Sequence, residues 1–194
     1  GATLIDNGKI SAVNEERLSR IKMHHGFPYL SIEEVLSMAT IHAKDIDLIA
    51  VEGKHIMPQF DIGFDEKTGD WKKQFISQLG LEKFILGTET GLAFARAGLK
   101  FHTRKIKNEI EKHLREKNFT CPIEYADHHY CHAATAYYTQ KHDDGIAITL
   151  DASGEGYCSK GYLCEKNKMQ LVHQVTCYHS PAYYYAYVTQ LLGF

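Results

Sequence analysis

Two histidines four residues apart, His128 and His132, stand in the run Asp127-His128-His129-Tyr130-Cys131-His132. On a helix this spacing puts both rings on one face with Cβ atoms about 6 Å apart, so both can address one point. Neutral imidazoles arranged in this way can share a Zn²⁺ or Fe ion. His129 lies about 100° further round the helix and is not expected to be a third ligand. The run is not a zinc-protease motif, because His129 takes the place of the general-base glutamate. The alternative is two unrelated histidines on a polar helix face, since two ligands leave a coordination shell incomplete.

A second segment, Leu150-Asp151-Ala152-Ser153-Gly154-Glu155-Gly156, leaves an apolar strand. Successive N–H groups in such a loop can form a nest for phosphate, with Asp151 or Glu155 holding Mg²⁺ through water. No Gly-Lys-Ser or Gly-Lys-Thr follows, so this is not a Walker loop, and taken alone the segment reads first as an ordinary β-turn between two strands. Glu15, Arg17, Arg20 and Lys22 read first as a solvated charged turn, with the cations able to meet a phosphate or carbamoyl oxygen as the alternative. Tyr178, Tyr183, Tyr184, Tyr185 and Tyr187 form an aromatic patch assigned mainly to packing. Cys158 and Cys164 share a strand face as small buried side chains, and Cys131 is a small helix residue and not a nucleophile.

Positioning these groups requires strands and helices in alternation. Asn7-Gly8 predicts a tight hairpin between strands at 2–5 and 9–13. A charged turn or short helix follows, and Ser31-Ile32-Glu33-Glu34 reads as a capping box opening a helix to about Thr40. Residues 47–51 read as a short strand buried on both faces. Residues 55–87 carry a weak pattern with a helix near 71–79, suited to an insertion or a substrate-facing loop. Residues 90–117 predict one long helix, with Gly98 as its candidate bend. Then come a strand at 123–126, a helix at 128–140, a buried strand at 146–150, and strands at 157–164 and 169–178. Ser180-Pro181 opens a last helix with proline at its first position. The order predicts an α/β mixture and not a purely parallel series.

The 194 residues carry a net charge of -2, with 44% apolar and 24% charged residues. That balance gives no reason to expect nucleic acid or an anionic membrane as partner. No apolar run approaches the roughly 20 residues of a membrane span. Five cysteines without a CxxC pair fit reduced thiols in a cytoplasmic protein. The chain opens Gly1-Ala2-Thr3 inside a strand and stops at Leu192-Gly193-Phe194 just after a helical pattern. It therefore reads as a piece of a longer protein, and an exposed cut face of its core could pair two copies as a homodimer.

Four segments in order carry a family resemblance: Asn14-Glu15-Glu16-Arg17-Leu18-Ser19-Arg20-Ile21-Lys22 with Gly26-Phe27-Pro28, Asp127 to Ala134, Leu150 to Gly156, and His179-Ser180-Pro181 to Phe194. Together they resemble the amino-terminal region of the nodulation-type O-carbamoyltransferases. The resemblance implies an incomplete actin-like, sugar-kinase-type (ribonuclease H-like) mixed sheet with flanking helices. Residues 1–194 would be the amino-terminal part of the carbamoyl-transfer domain, with a separate adenylate-forming domain absent. The parent would be an ATP-dependent transferase using carbamoyl phosphate, ATP and Mg²⁺, moving carbamoyl from carbamoyl-adenylate to a hydroxyl of a sugar or other small molecule. By motif, His128 and His132 would be ligands to iron (or zinc), with an acidic third ligand beyond Phe194. Asp151, Ser153, Gly154 and Glu155 would face phosphate, and Lys22 the reacting carbamoyl group. Ala152 departs from the family's more usual glycine, which would strain any positive φ there. The fragment alone would be inactive. A tRNA threonylcarbamoyladenosine-forming transferase ranks second, lacking a basic footprint here, and a non-catalytic nucleotide- or metal-binding module is the third reading.

Overall fold

Asn7 and Gly8 both take positive φ, 47° and 79°, and close a hairpin between β1 (Ala2–Asp6) and β2 (Lys9–Val13), with Asp6 opposite Lys9. This is the tight turn that an Asn-Gly pair favours. A computed structural model describes residues 1–22, 24, 26–55 and 81–193. The chain divides into two compact units, Gly1–Val51 with Lys105–Glu124, and Glu52–Arg104 with Tyr125–Phe194.

In the first unit, α1 (Glu15–Ser19) leads to α2 (Tyr29–Ala39), which packs on the hairpin. Glu15 corrects the solvated-turn expectation, because it is buried. Its carboxylate accepts from Leu30 N, Ser31 N and Ser31 Oγ at 3.0, 2.8 and 2.6 Å. Burial alone would raise its pKa, but these donors outweigh it and hold the carboxyl below its ordinary range. The capping box is corrected with it. The helix opens at Tyr29 behind Pro28, Ser31 lies inside it, and a distant glutamate meets the first-turn N–H groups. Leu114, Phe119 and Cys121 form the unit's buried centre, with Phe27, Ile32, Leu36, Ile46, Ile49, Ile110 and Ile123 against it.

β3 (Ile49–Glu52) pairs with β4 (Ile123–Ala126), and the division between the units falls within this pair. Ile49 N donates to Pro122 O and Gly53 N to Ala126 O, so the partners ascend together and the strands run parallel. β3 alternates half-buried and exposed residues, where burial on both faces was expected.

In the second unit, α3 (Leu81–Gly87) and α4 (Glu89–Gly98) precede α5 (Lys100–Glu116), which continues into the first unit. The single long helix expected over 90–117 is thus two helices, broken at Leu99 after Gly98. The expected helix at 71–79 lies outside the described residues. α6 (His128–Tyr138) packs on a three-stranded antiparallel sheet of β5 (Gly145–Gly154), β6 (Tyr157–Glu165) and β7 (Lys168–Thr176). Its Ala133 and Tyr137 meet Ala147, Tyr162 and Cys164 in one buried cluster. A second cluster holds Leu86, Leu92, Tyr157 and Cys177. A 3₁₀ turn, Cys177–His179, ends the sheet early and leads to α7 (Pro181–Leu191).

Two burial expectations fail here. β5 turns Ala147 and Thr149 inward while Ile146, Ile148 and Leu150 are 70%, 69% and 74% exposed, so the described residues cover this strand on one face only. Tyr184 and Tyr185 are exposed, so these two tyrosines of the aromatic patch are not packed. Cys158 and Cys164 are buried, and all five cysteines are free. Among the described residues no helix is long and apolar enough to cross a membrane.

Candidate metal centre

The site is built where β4 gives way to α6. Asp127 is the N-cap: its Oδ1 accepts from Tyr130 N at 2.9 Å, satisfying one of the open donors of the first turn. Its Oδ2 accepts from Lys160 Nζ at 2.6 Å, and the lysine side chain is only 7% exposed. The Lys160 ammonium also lies 4.5 Å from the Tyr157 ring centre. Burial would raise the Asp127 carboxyl, but Lys160 and the Tyr130 N–H prevail and hold it low. This ion pair fastens the start of α6 to β6.

The cap fixes which way each histidine faces. His129 is fully buried, its Nδ1 2.8 Å from Thr149 Oγ1 and its Nε2 3.0 Å from Tyr157 O. A carbonyl only accepts, so Nε2 carries the hydrogen, and burial lowers the ring's pKa and keeps it neutral. Both nitrogens are committed to the sheet. His128 and His132 face the other way, with Nε2 atoms 3.1 Å apart.

Asp151 completes the group. Regular pairing of β5 with β6 stops at Leu150–Ser159 and resumes at Gly154–Tyr157, and the irregular stretch between turns Asp151 toward α6. Its Oδ2 lies 2.6 Å from His128 Nε2 and 3.8 Å from His132 Nε2. The three donor atoms all lie within 4.8 Å of one another. An ion bound at about 2.0–2.2 Å would set neighbouring ligands about 3.0–3.5 Å apart, close to this spacing. Two imidazoles and a carboxylate suit Fe²⁺ or Zn²⁺ and leave coordination positions open. The donor set therefore fits such a metal.

The remaining sequence candidates fall as follows. Gly154 lies against the His128 ring: a Cβ built there would sit 2.0 Å from His128 Cδ2 and 2.6 Å from Cγ. Glu155 and Gly156, at φ 54° and 90°, form the turn into β6. The Glu155 carboxylate accepts from Lys54 N, His55 N and His128 N at 2.7, 3.0 and 3.2 Å. Burial, with Asp127 adding to it, raises its pKa despite those donors. Ser153 is exposed in the irregular stretch, and Ala152 does not take positive φ, so the strain feared there does not arise. Lys22 is exposed in the first unit, on the turn after α1.

Two features escape sequence reading. Asp151 joins the imidazoles, although its segment suggested a phosphate nest with Mg²⁺ held through water, because the bulge that turns it is a matter of strand register. Glu52, the last residue of β3, places Oε1 2.7 Å from His128 Nδ1. A lone acid closing an apolar strand was the available signal.

The Glu52 carboxylate, with Asp151 on the other nitrogen, outweighs burial and pushes His128 up to about 9. Glu52 and Asp151 are held low in return, Glu52 mainly by its bond to His128, Asp151 by that bond outweighing burial. A folded-state pKa above the ordinary 6.5 gives stability that is full below pH 6.5 and lost as pH rises through about 9. Thermal melts of the metal-free protein should therefore show a midpoint falling across that window, and His128→Asn should flatten this fall. A wild-type midpoint constant or rising there would contradict the pairing.

Residues 1–194 match the family model described as carbamoyltransferase N-terminus. The uncharacterised protein sll1178 of Synechocystis sp. is 26% identical over 194 residues, a match covering 100% of this chain and 30% of that protein. The chain thus spans less than a third of the length of that relative.

Proposed function

Given that the chain belongs to the carbamoyltransferase N-terminus family, we propose that it is part of an ATP-dependent O-carbamoyltransferase that acts on a hydroxyl of a sugar or other small molecule. The observation that carries this reading is the convergence of His128, His132 and Asp151 on one point. The proposed fold of the whole domain is actin-like, with the described sheets and helices as its amino-terminal portion. Carbamoyl-adenylate, made elsewhere in the protein from carbamoyl phosphate and Mg²⁺-ATP, is the proposed donor.

The acceptor oxygen bonds to the carbamoyl carbon, the bond from that carbon to the AMP phosphate oxygen breaks, and the hydroxyl proton leaves to solvent. His128, His132 and Asp151 would hold the metal, which would supply Lewis acidity toward a carbonyl or phosphate oxygen; iron is the proposed ion, with zinc as substitute. Asp127 and Lys160 hold α6 so that the two imidazoles stay on one point. Gly154 lets the His128 ring pass close to β5. Ser153, Gly154 and Glu155 are proposed to line the phosphate side, and Lys22 to stabilise charge as the hydroxyl attacks.

The test is carbamoyl transfer by the full-length protein, given carbamoyl phosphate, ATP and a panel of hydroxyl compounds, read by mass spectrometry of the products. Lys22→Ala should lower kcat for transfer while leaving nucleotide affinity within about threefold, the signature of an interaction made only in the transition state. Equal losses in both would remove Lys22 from the reaction. Failure of every acceptor to gain a carbamoyl group would overturn the reading itself.

A further inference from the structure

We infer that Glu52 is a positioning residue that decides which nitrogen of His128 is free to bind a metal. This inference rests on the proposed metal centre and deepens it. Gly53 N and Lys54 N both donate to Ala126 O, so the end of β3 is held beside the residue that leads into α6. That pairing sets Glu52 Oε1 2.7 Å from His128 Nδ1.

A neutral imidazole has one N–H and one lone pair. His128 is flanked by two carboxylates, Glu52 on Nδ1 and Asp151 on Nε2 at 2.6 Å, and each can only accept. A metal ion binds only the neutral ring, and in that form the two carboxylates compete for its single hydrogen. With hydrogen on Nε2, His128 donates to Asp151, and two of the three metal donors are spent on each other. With hydrogen on Nδ1, it donates to Glu52, and the Nε2 lone pair, Asp151 Oδ2 and His132 Nε2 are all open to an ion. Glu52 selects the second arrangement. Carboxylates behind metal-bound histidines act in this way by fixing tautomer and ring orientation.

The ring has little freedom to escape the choice. The Gly154 backbone presses on its Cδ2 edge, and its side chain is 22% exposed against 57% for His132. The Glu52 side chain is 58% exposed, so truncating it opens no core cavity and the variants should fold. An exposed ion pair without this role would contribute little and leave metal affinity alone.

The experiment is Zn²⁺ titration of the full chain against a competing chelator at fixed pH, for wild type, Glu52→Gln, Glu52→Ala and His132→Ala. Glu52→Ala should weaken Zn²⁺ binding about 10–100-fold. Glu52→Gln should fall between, since its amide oxygen still accepts from Nδ1–H without the charge. In ¹⁵N NMR of the Zn²⁺-loaded protein, the His128 Nδ1 proton should be hydrogen-bonded in wild type and exchange rapidly in Glu52→Ala. If Glu52→Ala binds Zn²⁺ within twofold of wild type while His132→Ala does not, the centre stands and Glu52 has no part in it. If wild type takes up no Zn²⁺, the centre and this inference fall together.

Discussion

His128→Ala should remove metal binding more completely than any other single change in the site. Loss of an outer partner costs about 10–100-fold in affinity, and loss of this ligand should exceed that range. Both ring nitrogens are engaged, Nδ1 by Glu52 and Nε2 by Asp151, which fixes its direction more firmly than that of His132. Its removal also leaves the Glu52 and Asp151 carboxylates without the cation that holds their pKa values down. The metal-free variant should therefore lose stability at neutral pH and recover part of it in acid, below the ordinary carboxylate range of about 4, where wild type instead loses the stability held by its low-pKa Glu52 and Asp151. In the full-length protein, the proposed carbamoyl transfer should fail while the proposed formation of carbamoyl-adenylate continues. Undiminished metal content in the purified variant would count against the assignment.

Gly154→Ala should come close to the same result without touching a ligand. The added methyl would lie 2.0 Å from His128 Cδ2 and 2.8 Å from Nε2, distances that real contacts do not reach. Gly154 is not among the residues of positive φ, so the requirement is for space and not for backbone freedom. The ring must move, breaking its bond to Glu52 or its approach to Asp151, and overpacking of this kind costs about 1–3 kcal/mol. Thermal melts and Zn²⁺ titration read the two consequences separately. A glycine needed only by a phosphate loop would behave differently, with nucleotide affinity falling and metal affinity intact. That second pattern would show that His128 does not lean on β5 at this point.

Some of this was legible in the residues. His-x-x-x-His announces a shared helix face because the helical period is fixed, and α6 bears it out over His128–Tyr138. Asn7-Gly8 announced its hairpin, and Pro181 the first residue of the last helix, because both depend on local backbone preferences. What escaped depends on partners distant in sequence. Glu15 caps a helix through N–H groups fifteen and sixteen residues on, bonds no local pattern encodes. β5 looked fully buried because Ile146, Ile148 and Leu150 are apolar, yet its cover lies on one side. Asp151 turns toward the imidazoles through a register irregularity, and Glu52 arrives through the pairing of β3 with β4. Each is a consequence of strand neighbours, which periodicity does not specify.

X-ray absorption spectroscopy on the iron- or zinc-loaded protein tests the centre most directly. The arrangement of His128, His132 and Asp151 predicts a shell at about 2.0–2.2 Å containing two imidazole nitrogens and a carboxylate oxygen, with one imidazole lost in His128→Ala or His132→Ala. An all-oxygen shell, or an imidazole count unchanged by either substitution, would contradict it.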